Sequence, residues 1–571
     1  MTHEQMFEQL RRKPFFLDDG QLQWVKDTLA SMDLKAKVGQ LLCLAARSEQ
    51  EEWVNGVFDV CEPAGFMYRP MPLEATLRFT EMLTSKPRIP MLIAADVERG
   101  GYPLVNDFGT QMGTPMEVAA TGDVAFASRL GEICGTECAA VGGNWAFSPI
   151  IDIDFNFRSP ITNVRTFGSN PETVRDFGRA FVEAVQRSGC AASIKHFPGD
   201  GRDFRDQHIT QTVNDLSADD WMATYGMVYK ASIDAGAMTV MIGHILQPAW
   251  QKKLNPALSD RELMPASLSP ELMQGLLRGE LGFNGLIVTD ATTMVGFNSA
   301  MPRRKSVPGC IAAGADMLLF PKNLEEDFGF MMNGVRDGII TSERLDEAVL
   351  RILGLKAALR VYERKVPTME EARAVVGCEK HRAWAYECAD KAVTLVKEEP
   401  GVLPITPERY RKILVYPIEK SDQQAADYDP DGRCAAFIHK LEARGFDVDV
   451  FTPTMGTEGR LLPVSAFVDK YDLMLYVAYI PTRSNQTVTR ITWASPVGAN
   501  CPIYYHDVPT VFVSLENPYH LQDVPRIRTY INAYCDSPQT MDAVIDKLTG
   551  RSSFTGVSPV DAFCGMWDTH L

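Results

Sequence analysis

The chain has no cysteine pair at CxxC spacing and no cysteine–histidine cluster at zinc spacing, although it carries 12 cysteines among 571 residues. So dilute a supply excludes a disulfide scaffold and a zinc module, and buried reduced thiols are expected. A basic excess is missing as well. The net charge of −16 argues against nucleic acid or an anionic membrane as partner. Long apolar runs are absent: the best, LLCLAA at 41–46, falls far short of the ~20 residues a membrane span needs. The start, MTHEQMFEQLRRKPFF, has no apolar core of signal-peptide length. A reducing cytoplasm is therefore the expected location. There are no internal repeats or low-complexity tracts, and the C-terminal third shows no G-x-G-x-x-G or P-loop, so no nucleotide is expected there.

What the chain does have is alternation. Apolar content of 45% and charged content of 23% are ordinary for a globular protein, and the length predicts two or three domains. Over the first 320 residues, short apolar runs alternate with amphipathic stretches in the rhythm of βα units. Candidate strands are 38–46, 64–70, 91–96, 145–154, 191–197, 238–244, 286–290 and 316–320. Among the helix-like segments between them is 171–189, with Pro171 near its start and Gly189 at its end. Eight such strands predict an α/β fold with an N-terminal (β/α)8 TIM-like barrel; an open doubly wound sheet is the alternative. A helix over 340–361 closes this catalytic domain, 1–361, and 362–395 reads as a linker or wrap. A second alternation, with strands at 412–418, 446–453, 472–480, 510–517 and 529–535, predicts a smaller doubly wound α/β domain over 396–571.

A barrel places its chemistry at the C-terminal ends of its strands, and there the polar residues concentrate. Asp96 ends the third strand, Asp152 and Asp154 the fourth, Lys195 and His196 the fifth, His244 the sixth and Asp290 the seventh, while Arg165 follows the fourth. Taken singly each has a bland reading: Asp290 as a helix cap, Asp206-Gln207-His208 as a polar loop, Lys195-His196 as satisfied groups at a strand end. Recurrence along one edge favours a catalytic site. A carboxylate nucleophile at Asp290 needs a partner that protonates a departing oxygen and then deprotonates water. Histidine can do this when a neighbouring Asp fixes its tautomer, and Asp206 and His208 share a side in an extended loop. Gly199 and Gly201 would let that loop move over a bound sugar.

These residues resemble glycoside hydrolase family 3, in its β-N-acetylhexosaminidase branch. KHFPGDG followed by DQH is similar to that branch's signature, and LMPASLSPELMQGLLRGELGFNGLIVTDA (263–291) resembles the stretch leading to the family nucleophile. NWAFSPIIDID (144–154) and VRTFGSNPE (164–172) resemble two pocket blocks, and AVTLVKEEPGVLPI, VSLENPYHLQDVP and FTGVSPV resemble parts of the C-terminal α/β sandwich. The resemblance implies Asp290 as nucleophile, His208 as acid/base oriented by Asp206, and Asp96, Arg165, Lys195, His196, Asp152 and His244 around the sugar. It implies no metal or organic cofactor. The chain departs from the family in placing Arg99 before Gly100 and Gly101, with Tyr102 after them, and in Asp200, where a His is common.

The leading expectation is a retaining exo-β-N-acetylglucosaminidase acting on a small carbohydrate such as a muropeptide or chitooligosaccharide. A phosphorylase acting on the same bond, a β-glucosidase or β-xylosidase, and a catalytically dead sugar-binding protein are the alternatives. The oligomeric state is left open.

Overall fold

The computed structural model describes residues 3–102, 104, 108–419, 429–452, 455, 463–494 and 498–571. The chain divides into two compact units, each assembled from separate stretches. The first comprises Met1–Gln111, Ala127–Ile153 and Pro171–Arg382, the second Met112–Phe126, Asp154–Asn170 and Ala383–Leu571.

In the first unit, eight parallel strands close into a barrel: β1 Leu42–Ala45, β2 Gly65–Met67, β3 Leu92–Ala95, β4 Trp145–Ala146, β5 Ala191–Phe197, β7 Thr239–Ile242, β9 Leu286–Ala291 and β10 Met317–Leu319. Two short strands, β6 Thr212–Val213 and β8 Ile245–Leu246, form a separate parallel ladder. Pairing of Leu42 with Leu318 joins β10 to β1 and closes the ring. Covered by side chains on one face and helices on the other, the strands are apolar almost throughout, as parallel strands must be. The helix Pro171–Arg187 shows why its segment folds as it does. Val174, Phe177, Phe181, Val182 and Val185 fall at helical spacing on its buried face, Pro171 opens it, and Gly189 leaves it at φ +84°. The closing helix spans Ser342–Ala358 and is capped by the Thr341 side chain.

Two strand boundaries of the barrel differ most from expectation. Val38 belongs to the helix Leu34–Gln40, capped by Asp33, so β1 starts later than 38. The fourth strand is two residues long rather than running to 154, because Pro149 has no N–H to give a ladder. The chain instead stays beside β5 through irregular bonds, with Ser193 N–H donating to Ser148 O at 2.9 Å and Ile151 N–H to Lys195 O at 2.9 Å. This detour brings Asp152 level with His196.

The second unit is built on a sheet ordered β11-β16-β15-β14-β12-β13. Its strands are β11 Thr394–Lys397, β12 Lys412–Ile418, β13 Asp447–Val450, β14 Leu473–Ala478, β15 Thr510–Ser514 and β16 Thr529–Asn532. All pairings are parallel except the edge strand β11, which runs antiparallel to β16. One face packs Phe437, Ile438 and Val544 from helices onto Leu475 and Val513, and the other stacks Tyr416 on Tyr476 at 4.3 Å. The stretch 362–395 is more ordered than a linker, holding helices Met369–Val375 and Glu379–Ala392 and the start of β11. Residue 453, at the end of the strand expected over 446–453, lies outside the described residues.

All 12 cysteines are free thiols, and only Cys378 and Cys501 are not buried. Among the described residues no helix is long and apolar enough to cross a membrane.

Candidate functional site

The fifth strand supplies the floor of the site. Lys195, at 2% exposure, extends its ammonium to Glu98 Oε1 at 2.8 Å and Asp96 Oδ1 at 3.1 Å, both in the loop that leaves β3. His196 donates its backbone N–H to Asp152 Oδ1 at 3.0 Å, and its Nδ1 lies 2.7 Å from Asp152 Oδ2. An ionised carboxylate only accepts, so the hydrogen sits on Nδ1 and Nε2 is the nitrogen left for other partners. That nitrogen is 4.0 Å from Asp290 Oδ2. Asp152 also accepts the Asp200 N–H at 2.8 Å, so its carboxylate is spent on holding the loop and the imidazole. Asp152 is buried, and both of its carboxylate oxygens are engaged by the β5 segment and the loop after it.

Asp290 stands near the end of β9, where Oδ1 accepts the Ala291 N–H at 2.7 Å. Oδ2 is buried with no hydrogen-bond partner among the described residues. Burial pushes the acid toward its neutral form, but the charges of His196, His244 and His208 and the Ala291 N–H outweigh it, leaving the pKa below the ordinary carboxylate value. Asp290 is thus ionised at neutral pH. It caps no helix, since the next one, Val295–Asn298, has Met294 at its cap.

Between β5 and β6 the chain is fastened at every few residues. Trp221 Nε1–H donates to Pro198 O at 2.8 Å and Asn214 Nδ2–H to Gly199 O at 3.0 Å. Gly199 has φ +110°, and a Cβ there would lie 2.1 Å from the Tyr225 ring, so the residue must be glycine for the shape of the turn. Arg205 and the Val213 N–H hold Asp203. Asp206, fully buried, uses one oxygen twice: Oδ1 accepts the His208 N–H at 2.9 Å and lies 2.6 Å from His208 Nδ1. The segment is a turn rather than extended chain, and the Asp folds back over it. His208 keeps 23% of its side chain exposed, with Nε2 the nitrogen not committed to Asp206.

His244 is held by protein partners on both ring nitrogens. Its Nε2–H donates to Ala291 O at 3.0 Å and its Nδ1 accepts from Ser267 Oγ at 2.8 Å, and burial lowers its pKa. With both nitrogens satisfied and no exposure, it has none to offer a sugar. It orients the end of β9 beside Asp290. The His244 N–H donates to Gln207 Oε1 at 2.7 Å, while Gly296 N–H reaches Gln207 O and Val295 N–H reaches His208 O, both at 3.1 Å.

The barrel unit therefore gathers Asp96, Asp152, Lys195, His196, Asp206, His208, His244 and Asp290. Arg165 is counted with the second unit, in the turn Asn163–Arg165, where its Nη1 donates to Ile161 O at 3.2 Å. Sequence reasoning passed over Glu98, Gln207 and Ser267. Glu98 stands in the same D-x-E motif as Asp96, and that spacing was a usable signal; nothing local marks the other two. Among the described residues no group of three or more His, Cys, Asp or Glu side chains could hold a metal ion.

Residues 33–355 match the profile of the glycosyl hydrolase family 3 N-terminal domain. A β-N-acetylglucosaminidase/β-glucosidase from Cellulomonas fimi is 48% identical over 562 residues, 98% of this chain and 100% of that protein. Among solved structures, a β-glucoside phosphorylase superposes with a TM-score of 0.92 at 43% identity, covering 100% of both chains. The family 3 β-N-acetylglucosaminidase of Paenibacillus sp. str. FPU-7 shares the fold, with a TM-score of 0.79 at 24% identity over 94% of this chain and 100% of that one.

Proposed function

The chain belongs to glycosyl hydrolase family 3, and from that premise we propose that this glycoside hydrolase is a retaining, exo-acting β-N-acetylglucosaminidase that also accepts β-glucosides. The observation that carries the reading is the pairing of an ionised, half-unpartnered Asp290 with a His208 held by Asp206 in a loop bonded to the segment just after β9. The sugar classes are those in the name of the Cellulomonas fimi relative.

In the first step Asp290 Oδ2 attacks the anomeric carbon while His208 Nε2 gives its proton to the departing glycosidic oxygen. The C–O bond to the leaving group breaks as the C–O bond to Asp290 forms. In the second step, His208, now neutral, takes a proton from water through Nε2, and the hydroxide attacks the same carbon and expels Asp290. Two inversions give net retention. Asp206 accepts the Nδ1–H throughout, which keeps Nε2 as the working nitrogen and stabilises the cation. Lys195, His196 and Asp96 bind the hydroxyls of the terminal sugar.

A second reading changes only the acceptor. After the first step the base is an uncharged imidazole, and it repels an incoming phosphate less than a carboxylate would. The 43% identical structure is named as a β-glucoside phosphorylase. The test is turnover of paired 4-nitrophenyl β-GlcNAc and β-glucoside substrates with and without phosphate, with products separated. Free sugar at a rate independent of phosphate supports the hydrolase; sugar 1-phosphate formed at a rate that rises with phosphate replaces it with the phosphorylase. No turnover of either substrate refutes both.

A further inference from the structure

A second concavity of about 520 Å³ opens at the C-terminal end of the barrel, and none of the residues assigned to the reacting centre lines it. Its size falls within the roughly 300–1,000 Å³ of small-molecule sites. The chain just beyond β1, β2, β9 and β10 contributes Arg47, Arg69, Thr293 and Phe320 to its wall. Thr293 follows Asp290 closely on the connection that leaves β9.

The lining has a definite chemistry. Trp53, on the helix Glu51–Val60, is half-buried and sets its ring against Phe66 at 6.0 Å and 72°, so that side of the indole is anchored in the core while the residue lines the cavity. Around it stand two cations, Arg47 and Arg69, and two carboxylates, Glu52 and Glu325. Among the described residues none of the four takes part in an ion pair; Arg47 donates to the Lys322 carbonyl at 3.3 Å. An apolar ligand would strip water from four charges without return. An anion would face the two glutamates, and a cation the two arginines. A neutral polyol fits all of it: guanidinium groups donate to hydroxyl oxygens, carboxylates accept hydroxyl hydrogens, and an aromatic face covers the C–H side of a pyranose ring.

We infer that this cavity binds the sugar residues on the leaving-group side of a β-linked oligosaccharide, whose terminal ring occupies the Asp290 site. The inference rests on the glycosidase reading above, because a chain cleaved at Asp290 has its remaining rings to place on the same end of the barrel. It makes the protein an enzyme for oligosaccharides rather than for disaccharides alone.

The test uses full-length protein carrying Asp290→Asn, which binds without turnover. Calorimetric titration compares the β-1,4-linked GlcNAc trimer with GlcNAc, and cellotriose with glucose, in that parent and after adding Trp53→Ala or Arg69→Gln. The expected result is that the parent binds one trimer more tightly than its monomer. Each added substitution then lowers the trimer-to-monomer affinity ratio, by about tenfold for the tryptophan. A ratio unchanged in both variants overturns the inference. So does an equal fall for trimer and monomer accompanied by a lower melting temperature, which assigns Trp53 to the fold. Failure of the underlying reading shows separately, as wild-type protein that cleaves neither nitrophenyl substrate.

Discussion

On the proposed mechanism, replacing Asp206 weakens proton transfer by His208 and leaves attack by Asp290 in place. One buried oxygen of Asp206 serves both the His208 N–H and His208 Nδ1, at 2.9 and 2.6 Å. Asparagine can keep an accepting oxygen at that place but loses the charge. Hydrogen bonds to a charged group are worth about 1.5–3 kcal/mol and neutral ones about 1. The imidazolium is then less stabilised by roughly 1–2 kcal/mol, a factor of about 5–30. Alanine removes the acceptor as well, frees the ring to rotate and change tautomer, and should forfeit most of the roughly 100- to 10,000-fold contribution of general acid–base catalysis. The assay is single-turnover glycosylation with a leaving-group series from dinitrophenyl to methyl β-GlcNAc. A dinitrophenolate departs with little protonation, so Asp206→Ala should slow it least, while the methyl glycoside should suffer the full loss, with Asp206→Asn between wild type and alanine throughout. An equal fall across the series would refute the assignment, because it would mean that Asp206 supports the nucleophile or the fold rather than proton transfer.

Asp290→Asn should cost several orders of magnitude in kcat with both nitrophenyl substrates while the melting curve stays cooperative; residual activity within tenfold of wild type would exclude Asp290 as nucleophile. Asp200 is held protonated, first by burial and then by the charge of Asp152, so the folded state carries a proton that the unfolded chain releases above about pH 4. Stability therefore declines as pH rises past that point. Asp200→Asn removes the titration, and its melting-temperature gain over wild type should widen from pH 5 to pH 8, a constant difference counting against the buried neutral acid. Glu137 accepts from Thr110 N–H and Oγ1–H at 2.8 and 2.6 Å and from Gly377 N–H at 3.0 Å, with His381 Nδ1 at 2.7 Å. Glu137→Gln turns one acceptor into a donor facing donors and should cost about 1–3 kcal/mol in urea unfolding; an unchanged midpoint would contradict that bonding pattern.

The barrel was readable because each of its strands is a short apolar run bounded by polar residues, a pattern imposed by burial on both faces. Strand ends were less so. Val38 looks like part of the run LLCLAA, yet Asp33 caps a helix that takes it, and Pro149 ends β4 in a stretch whose apolar character continues. At the site, Asp290 stands out because polar residues recur at the ends of several barrel strands, and Asp206 and His208 because their spacing puts a carboxylate beside an imidazole. Gln207 did not, because its task is to accept from His244, which is distant in sequence. Nor does the sequence show which polar atoms of His244 and Asp152 are engaged by the protein, because their partners, Ser267 and Ala291 for the one and the His196 and Asp200 segment for the other, are distant in the chain. Glycines 199 and 201 suggested mobility, but their positive φ values of +110° and +98° serve the shape of a bonded turn.

The bonds from Gln207 and His208 to His244, Val295 and Gly296 also bear on how such an enzyme could be re-engineered. The Asp206–His208 segment is not a cassette that can be moved by itself. Transplanted into another barrel as residues 199–209, it would arrive without the backbone donors at Val295 and Gly296 that hold Gln207 and His208. A recipient must supply the 292–297 connection too, so the His208 loop and the end of β9 that carries Asp290 are inherited together or not at all.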